Sequence, residues 1–376
     1  MTGSPTAEAE FVIGRGKVVQ ADDDAPAGRL GTYRARDGSS GAPLHVDLDG
    51  PHATLIVGKR GYGKSYTLGV LAEALARADG VAPVVADPMG VFPTLGEPAE
   101  GEPVPAEVID DPQITATTLD PRSWCALLDL SPESGAGGLV WRAAQDEATL
   151  ADMRAAIEES DAPGVDKRAA VNHLELADSW GIFDPEGMDA RELGSGAVTV
   201  VDVSGLDSAP MNAVVRGIGE ALYRARVNEA IPRLPWFMID EAHTFFQGVG
   251  EAALETILTR GRAPGVSLVL ATQRPSAVSE VAVSQSDIVV SHRLTSEADL
   301  AALEAAQPTY MQTSLAERLP TSPGEVIVID DATETVHSAN VRRRETPHGG
   351  DSPNASDVEI DEERPADADR PAADDD

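Results

Sequence analysis

The sequence predicts an α/β protein, with a mostly parallel sheet and helices on both faces. Three observations predict it. Short apolar, β-branched runs alternate with helix-spaced stretches. One such run, Ala53–Val57, passes through a glycine-rich loop directly into a helical pattern. Another, Trp236–Ile239, ends abruptly in two acids.

The elements follow in order. Residues 1–50 hold two β-like pieces, Phe11–Ile13 and Leu44–Leu48, and form a short lead-in. Ala53–Val57, bounded by Pro51 and Gly58, has the pattern of a buried parallel strand. From Lys64 to about Ala78 the spacing of Leu68, Leu71, Leu75 and Ala78 predicts a helix. Val81–Ala86 is the next strand and leads into Asp87-Pro88-Met89-Gly90, which completes a βαβ unit. Residues 100–190 change character: Pro/Glu-rich text gives way to helical segments near 121–130, 138–160 and 166–180, a helical insertion subdomain without strands. The alternation then resumes with strands at Ala197–Val203, Trp236–Ile239, Ser267–Ala271, Ile288–His292 and Glu325–Ile329, and helices at Ala209–Ala230 and Glu251–Arg260. The core is therefore expected over residues 51–99 and 191–335. From Glu345 to Asp376 there are twelve acids, two arginines and no apolar periodicity, the composition of a disordered acidic tail.

The chain's 376 residues suffice for one large core and a subdomain. Its net charge is −34, and only Lys17, Lys59, Lys64 and Lys167 are lysines among 29 basic residues. Acid spread along the whole chain, with lysine nearly absent, is expected of a surface kept hydrated in molar salt; it bears on solubility rather than fold. Cys125 is the single cysteine, so an intrachain disulfide framework is excluded. It stands in the apolar stretch Trp124–Leu128, as a small core residue. No apolar run approaches the ~20 residues of a membrane helix. With no signal-peptide pattern at the start, a cytoplasmic protein without membrane contact is expected.

Gly58-Lys59-Arg60-Gly61-Tyr62-Gly63-Lys64-Ser65 matches G-x-x-x-x-G-K-[ST], in the required place between a strand and a helix. The glycines let backbone N–H groups curl around phosphate oxygens at a helix N-terminus. Residues Gly58–Ser65 and the adjoining Tyr66 are thus the candidate nucleotide-binding loop, with Lys64 for the β- and γ-phosphates of ATP and Ser65 for Mg²⁺. In Asp240-Glu241-Ala242-His243, burial of the preceding strand aims Asp240 at the carboxyl edge of the sheet, where ligands of open α/β sheets bind. Asp240 is the second expected Mg²⁺ ligand and Glu241 the general base for water. Gln273, after the strand Ser267–Ala271, suits water orientation or γ-phosphate sensing. Arg260 and Arg262 are candidates for stabilising transition-state charge.

The letters DEAH also mark one class of superfamily 2 helicases, which carry a second RecA-like domain. After Ala271 only about 70 residues precede the acidic tail, too few for another domain of ~150. A single core then points to an oligomer in which a neighbour completes the site.

In its order of motifs the chain resembles the HerA–FtsK branch of additional-strand catalytic-glutamate ATPases, most of all HerA-type archaeal ATPases. The resemblance spans roughly residues 28–330 and rests on Gly58–Ser65, Asp87–Gly90, Val201–Leu206, Asp240–His243, Gly261-Arg262 with Gly265-Val266, and Ala271–Ser276. It implies a RecA-like P-loop NTPase core, a homohexameric ring, a pore for duplex DNA, helicase or translocase activity, and often a nuclease partner. A regulatory or protein-remodelling ATPase that does not touch DNA is the alternative. Those proteins often carry a basic residue about twelve before the P-loop lysine, where this chain has His52; their N-terminal β-barrel has little room in 50 residues. Basic residues to line a pore are scarce: Arg142, Arg154, Lys167 and Arg168 in the insertion, and Arg274.

Overall fold

The structure, a computed structural model, describes residues 11–16, 25–35, 37–97, 103–305 and 315–350. Its strands are β1 (Val12–Ile13), β2 (Ala27–Arg34), β3 (Ser40–Asp47), β4 (Ala53–Val57), β5 (Val81–Asp87), β6 (Ala106–Ile109), β7 (Val198–Asp202), β8 (Leu234–Ile239), β9 (Ser267–Thr272), β10 (Ile288–Ser291), β11 (Glu325–Asp330) and β12 (Thr335–Val341). Its helices are α1 (Lys64–Leu75), α2 (Pro121–Leu127), α3 (Gly135–Asp146), α4 (Leu150–Glu159), α5 (Gly164–Asp178), α6 (Ala190–Leu193), α7 (Ser208–Val227), α8 (Glu251–Arg260), α9 (Glu280–Ser284), α10 (Glu297–Ala305) and α11 (Leu315–Arg318).

The strands form one sheet in the order β1-β3-β2-β12-β11-β10-β4-β9-β8-β5-β7-β6. From β10 to β6 every neighbouring pair is parallel. β11, β12, β2 and β3 then add antiparallel strands at the other end. The β-like pieces of the lead-in therefore extend the core sheet. They are linked to it through β2, which pairs with β3 and with the half-exposed, polar β12; neither β2 nor β12 is expected from the sequence.

The core is two apolar layers, one on each sheet face, because successive strand residues point to opposite sides. In β8, Trp236 and Met238 join α1 and the antiparallel strands in one layer. Phe237 and Ile239 join α7 and α8 in the other, which runs on into the insertion through Trp124, Leu139, Met153 and Leu174. Helices α2–α5 pack on one another to form that insertion. Cys125 is buried within it, its thiol 3.5 Å from the Gly137 carbonyl.

Two features of residues 100–190 differ from expectation. The segment contains a strand, β6, which pairs in parallel with β7 at the sheet's edge. It is short, and Val108 is 39% exposed, so it lacks the apolar run of a central strand. The helix expected over 138–160 is two helices, since Thr149 accepts the Asp152 N–H and caps α4. The first residues of the expected tail are placed in the structure. Glu345–Gly350 lie against α1, and the acidic remainder, 351–376, falls outside the described residues. No helix among the described residues is long and apolar enough to cross a membrane.

Candidate nucleotide site

Parallel strands deliver their following loops to one edge of the sheet. β4 delivers Gly58–Gly63, β8 delivers Asp240 and Glu241, β5 delivers Asp87, and β10 delivers His292. β9 lies between β4 and β8, so Gln273 emerges between the glycine-rich loop and the acid pair.

Gly63 enters α1 with φ 104°, a left-handed conformation that a Cβ would strain. At Gly58 a Cβ would lie 2.5 Å from the His292 Cβ. His292 fills the space under the loop: its Nε2 meets the Thr67 hydroxyl at 2.9 Å. Burial, with the Lys64 charge beside it, pulls its pKa down to about 4, so the imidazole is neutral. The sequence marked His292 only as the end of a strand.

Lys64 is 5% exposed. Burial lowers its pKa, against the opposing charges of Glu241 and Asp240. Asp240 is fully buried; desolvation raises its pKa, with the Ser65 hydroxyl acting in the other direction. Its Oδ1 accepts the Glu241 N–H at 2.9 Å, while Oδ2 is without a hydrogen-bond partner. A buried carboxylate oxygen left over beside a serine hydroxyl fits a hard cation. Mg²⁺ in phosphate sites commonly takes one or two protein oxygens and leaves its other positions to water and phosphate. No group of three or more His, Cys, Asp or Glu side chains suited to a metal exists among the described residues.

Glu241 has φ 43° and ψ 43°, left-handed for a non-glycine residue, a strain of order 1–3 kcal/mol that concentrates at functional sites. Its Oε2 is 3.3 Å from His243 Nδ1, which also lies 3.2 Å from the Thr272 hydroxyl on β9. Burial, reinforced by Arg274 and Lys64, lowers the His243 pKa and keeps it neutral. Asp87 is pushed up to about 6, by burial first and then by Asp202 and Asp240, although the Phe92 and Met89 N–H groups donate to it.

Gly63, Lys64, Ser65 and Glu241 open onto one cavity of about 560 Å³. That is within the range of small-molecule sites, roughly 300–1,000 Å³. Arg60 and Tyr66 line it too, while Lys59 sits 4.5 Å over the Tyr62 ring. Its far wall is the segment after β12, including Arg343 and His348, the latter within the stretch expected from the sequence to be acidic tail.

The two candidate arginines are not part of this cavity. Arg260 ends α8 and Arg262 precedes β9, at the amino edge of the parallel strands. Arg262 there lines a cleft with Pro51, His52 and Asp287. His52 is itself buried and held by Asp287 at 2.8 Å and Asp47 at 3.1 Å. Of the scarce basic residues, Lys167 donates to the Glu158 and Ser160 carbonyls, Arg154 pairs with Asp178, and Arg142 donates to the Gly138 carbonyl. Arg168 and Arg274 are exposed.

No family model and no curated protein matches the sequence. Solved structures do match the fold. VirB4 of Thermoanaerobacter pseudethanolicus superposes with a TM-score of 0.62 at 15% identity, over 84% of this chain and 96% of that one. The plasmid coupling protein TrwB, in complex with ADP and Mg²⁺, gives 0.54 at 15% identity, over 86% and 97%. A second structure of that bacterial conjugative coupling protein, its unbound form, gives 0.52 at 15% identity, over 82% and 89%. The fold is that of RecA-like P-loop ATPases. The glycine-rich loop and the acid pair both lie at the carboxyl edge of the parallel strands, with β9 between β4 and β8.

Proposed function

We propose that the chain binds ATP with Mg²⁺ and hydrolyses it. The observation that carries this is the convergence of two separate elements at one cavity: Lys64 and Ser65 from the start of α1 meet Glu241 from the end of β8, with Asp240 buried beside them. Lys64 and the Gly58–Gly63 backbone hold the phosphates, and Ser65 and Asp240 hold the cation, which when bound neutralises charge on the β- and γ-phosphates. Glu241 takes the proton of the attacking water, with His243 fixing its carboxylate. Gln273 orients that water from the intervening strand.

Arg262 or Arg260, remote from the chain's own site, serves the site of a neighbour in a ring of identical subunits, six by resemblance to HerA-type ATPases. His52 does not compete for that role, because two aspartates hold it inside. The likeness to a plasmid coupling protein and the HerA-type motif order favour a cytoplasmic DNA translocase or helicase, with a nuclease as a partner. Engagement of Arg154 and Lys167 by neighbouring groups leaves the exposed Arg142, Arg168 and Arg274 for DNA contact and keeps a protein-remodelling ATPase as the second reading.

The test is ATP turnover in molar KCl, with and without duplex DNA. Glu241→Gln is expected to bind ATP yet turn over at least ~10²-fold more slowly. Lys64→Ala is expected to lose nucleotide binding. Near wild-type turnover by Glu241→Gln removes Glu241 from its role. Turnover indifferent to DNA at every salt concentration moves protein remodelling ahead.

A further inference from the structure

The cavity continues past the phosphate-binding loop to a strap, residues 342–350, that follows β12 and crosses α1. The strap is fixed by a polar cluster beneath it. Glu73, one of the α1 residues, is fully buried. Its carboxylate accepts Arg342 Nη1 at 2.7 Å, the Glu345 N–H at 3.0 Å, the Thr346 N–H at 2.9 Å and the Thr346 hydroxyl at 2.8 Å. Arg342 further donates to the Val70 and Arg29 carbonyls, at 3.1 and 2.9 Å. The Arg344 guanidinium lies flat on the helix at Gly69, where a Cβ would come within 2.9 Å of it. Tyr66, directly after the Ser65 of the P-loop, accepts the Arg344 N–H on its hydroxyl at 2.6 Å.

The strap is thereby locked to the first turns of the helix whose N-terminus faces the phosphates. It stands His348 edge-on to Tyr66, ring centroids 5.4 Å apart at 73°, and brings Arg343 to the wall of the cavity that Lys64 also lines, beside Val341 at the end of β12. Pro323 and Gly324, before β11, close the same wall. Phosphate recognition calls for amides and cations. Beside Arg342 and Arg343, two aromatic rings, a valine and a proline supply the chemistry that receives a base and a ribose, with stacking on aromatic faces worth about tenfold or more in affinity per base.

We propose that this strap is the nucleoside-binding wall of the site, with Tyr66 and His348 receiving the base and Glu73 acting as the positioning residue that holds the strap in place. The proposal rests on the cavity being a nucleotide site. The P-loop segment supplies the triphosphate half and the chain's C-terminal segment the nucleoside half, so specificity for the base is set outside the P-loop motif.

Calorimetric titration of the full chain in molar KCl with Mg²⁺ tests it, using ATP and inorganic tripolyphosphate as separate probes. His348→Ala weakens ATP at least about tenfold and leaves tripolyphosphate within about twofold of wild type. His348→Phe, which keeps a ring, restores most of the ATP affinity. Glu73→Gln shows the same split between the two probes. Lys64→Ala, in contrast, weakens both. If Lys64→Ala weakens both probes while His348→Ala changes neither or both equally, the strap proposal is overturned and the phosphate site stands. If wild type binds neither probe, or Lys64→Ala changes neither, the nucleotide assignment itself falls, and the strap proposal with it.

Discussion

Glu241 and His243 show how finely single residues are set in this site. The Asp240 N-terminal to Glu241 is buried to the last atom, and the positive φ of Glu241 turns its carboxylate out toward Lys64. His243, neutral, places its Nδ1 3.3 Å from Glu241 Oε2 and 3.2 Å from the Thr272 hydroxyl. His243→Ala is expected to slow turnover by about tenfold with little change in ATP affinity, since it frees the proposed base without touching the proposed phosphate site. Equal loss in both parameters argues for a folding role instead. Gly58 makes the complementary case. Gly58→Ala forces a Cβ into the His292 side chain and is expected to weaken ATP binding by at least about tenfold, read by the same titration. The P-loop and the acid pair were legible in the sequence because they are contiguous, chemically dense and bounded by strands. His292 was not, because its role arises only where β10 comes to lie beside β4.

At the scale of elements, the seven strands read as buried apolar runs were found close to their expected limits, since burial on both faces leaves a strong mark on composition. β2, β6 and β12 were missed for the opposite reason: each has exposed or polar positions that match no apolar pattern. The strap was missed too, because its order comes from α1 rather than from its own sequence. Burial pushes the Glu73 pKa up, but Thr346, Arg342 and Glu345 outweigh it and hold the carboxyl below its ordinary value. A depressed acid contributes stability that is fully present above the unfolded pKa, near 4.5, and is lost as pH falls through the folded value. Acid titration is therefore expected to release the strap, observable as loss of the Tyr66 fluorescence environment before global unfolding. Glu73→Ala leaves Arg344 buried without its partner and is expected to cost about 3–5 kcal/mol in denaturant unfolding. A loss under about 1 kcal/mol would mean that the strap is not held there.

The whole molecule is tied together by charges at one end and pushed apart by charges at its surface. At the amino edge of the sheet, Arg15 from the lead-in pairs with Asp47 at 2.7 Å; Asp47 and Asp287, before β10, both hold His52 at the foot of β4. Burial acts to lower the His52 pKa, yet Asp287 and Asp47 raise it to about 9. Stability from this raised group is complete below about 6.5 and is lost as pH climbs through about 9, a span of roughly 3 kcal/mol. His52→Gln is expected to flatten the unfolding midpoint across that window. Against these internal ties stands a net charge of −34 on a chain with 63 acids. Self-repulsion of this size destabilises a compact state when it is unscreened. The Debye length is about 10 Å at 0.1 M salt and about 3 Å at 1 M, so surface acids decouple from one another only in concentrated salt. The buried His52 cluster, shielded from solvent ions, keeps its strength over the same range. The melting temperature is therefore expected to rise by several degrees between 0.1 M and 2 M KCl at pH 7. His52→Gln should lower the whole curve without changing its slope. A midpoint that is flat or falls with KCl would mean the acidic surface is not adapted to salt, and the charge would then call for a basic partner in its place.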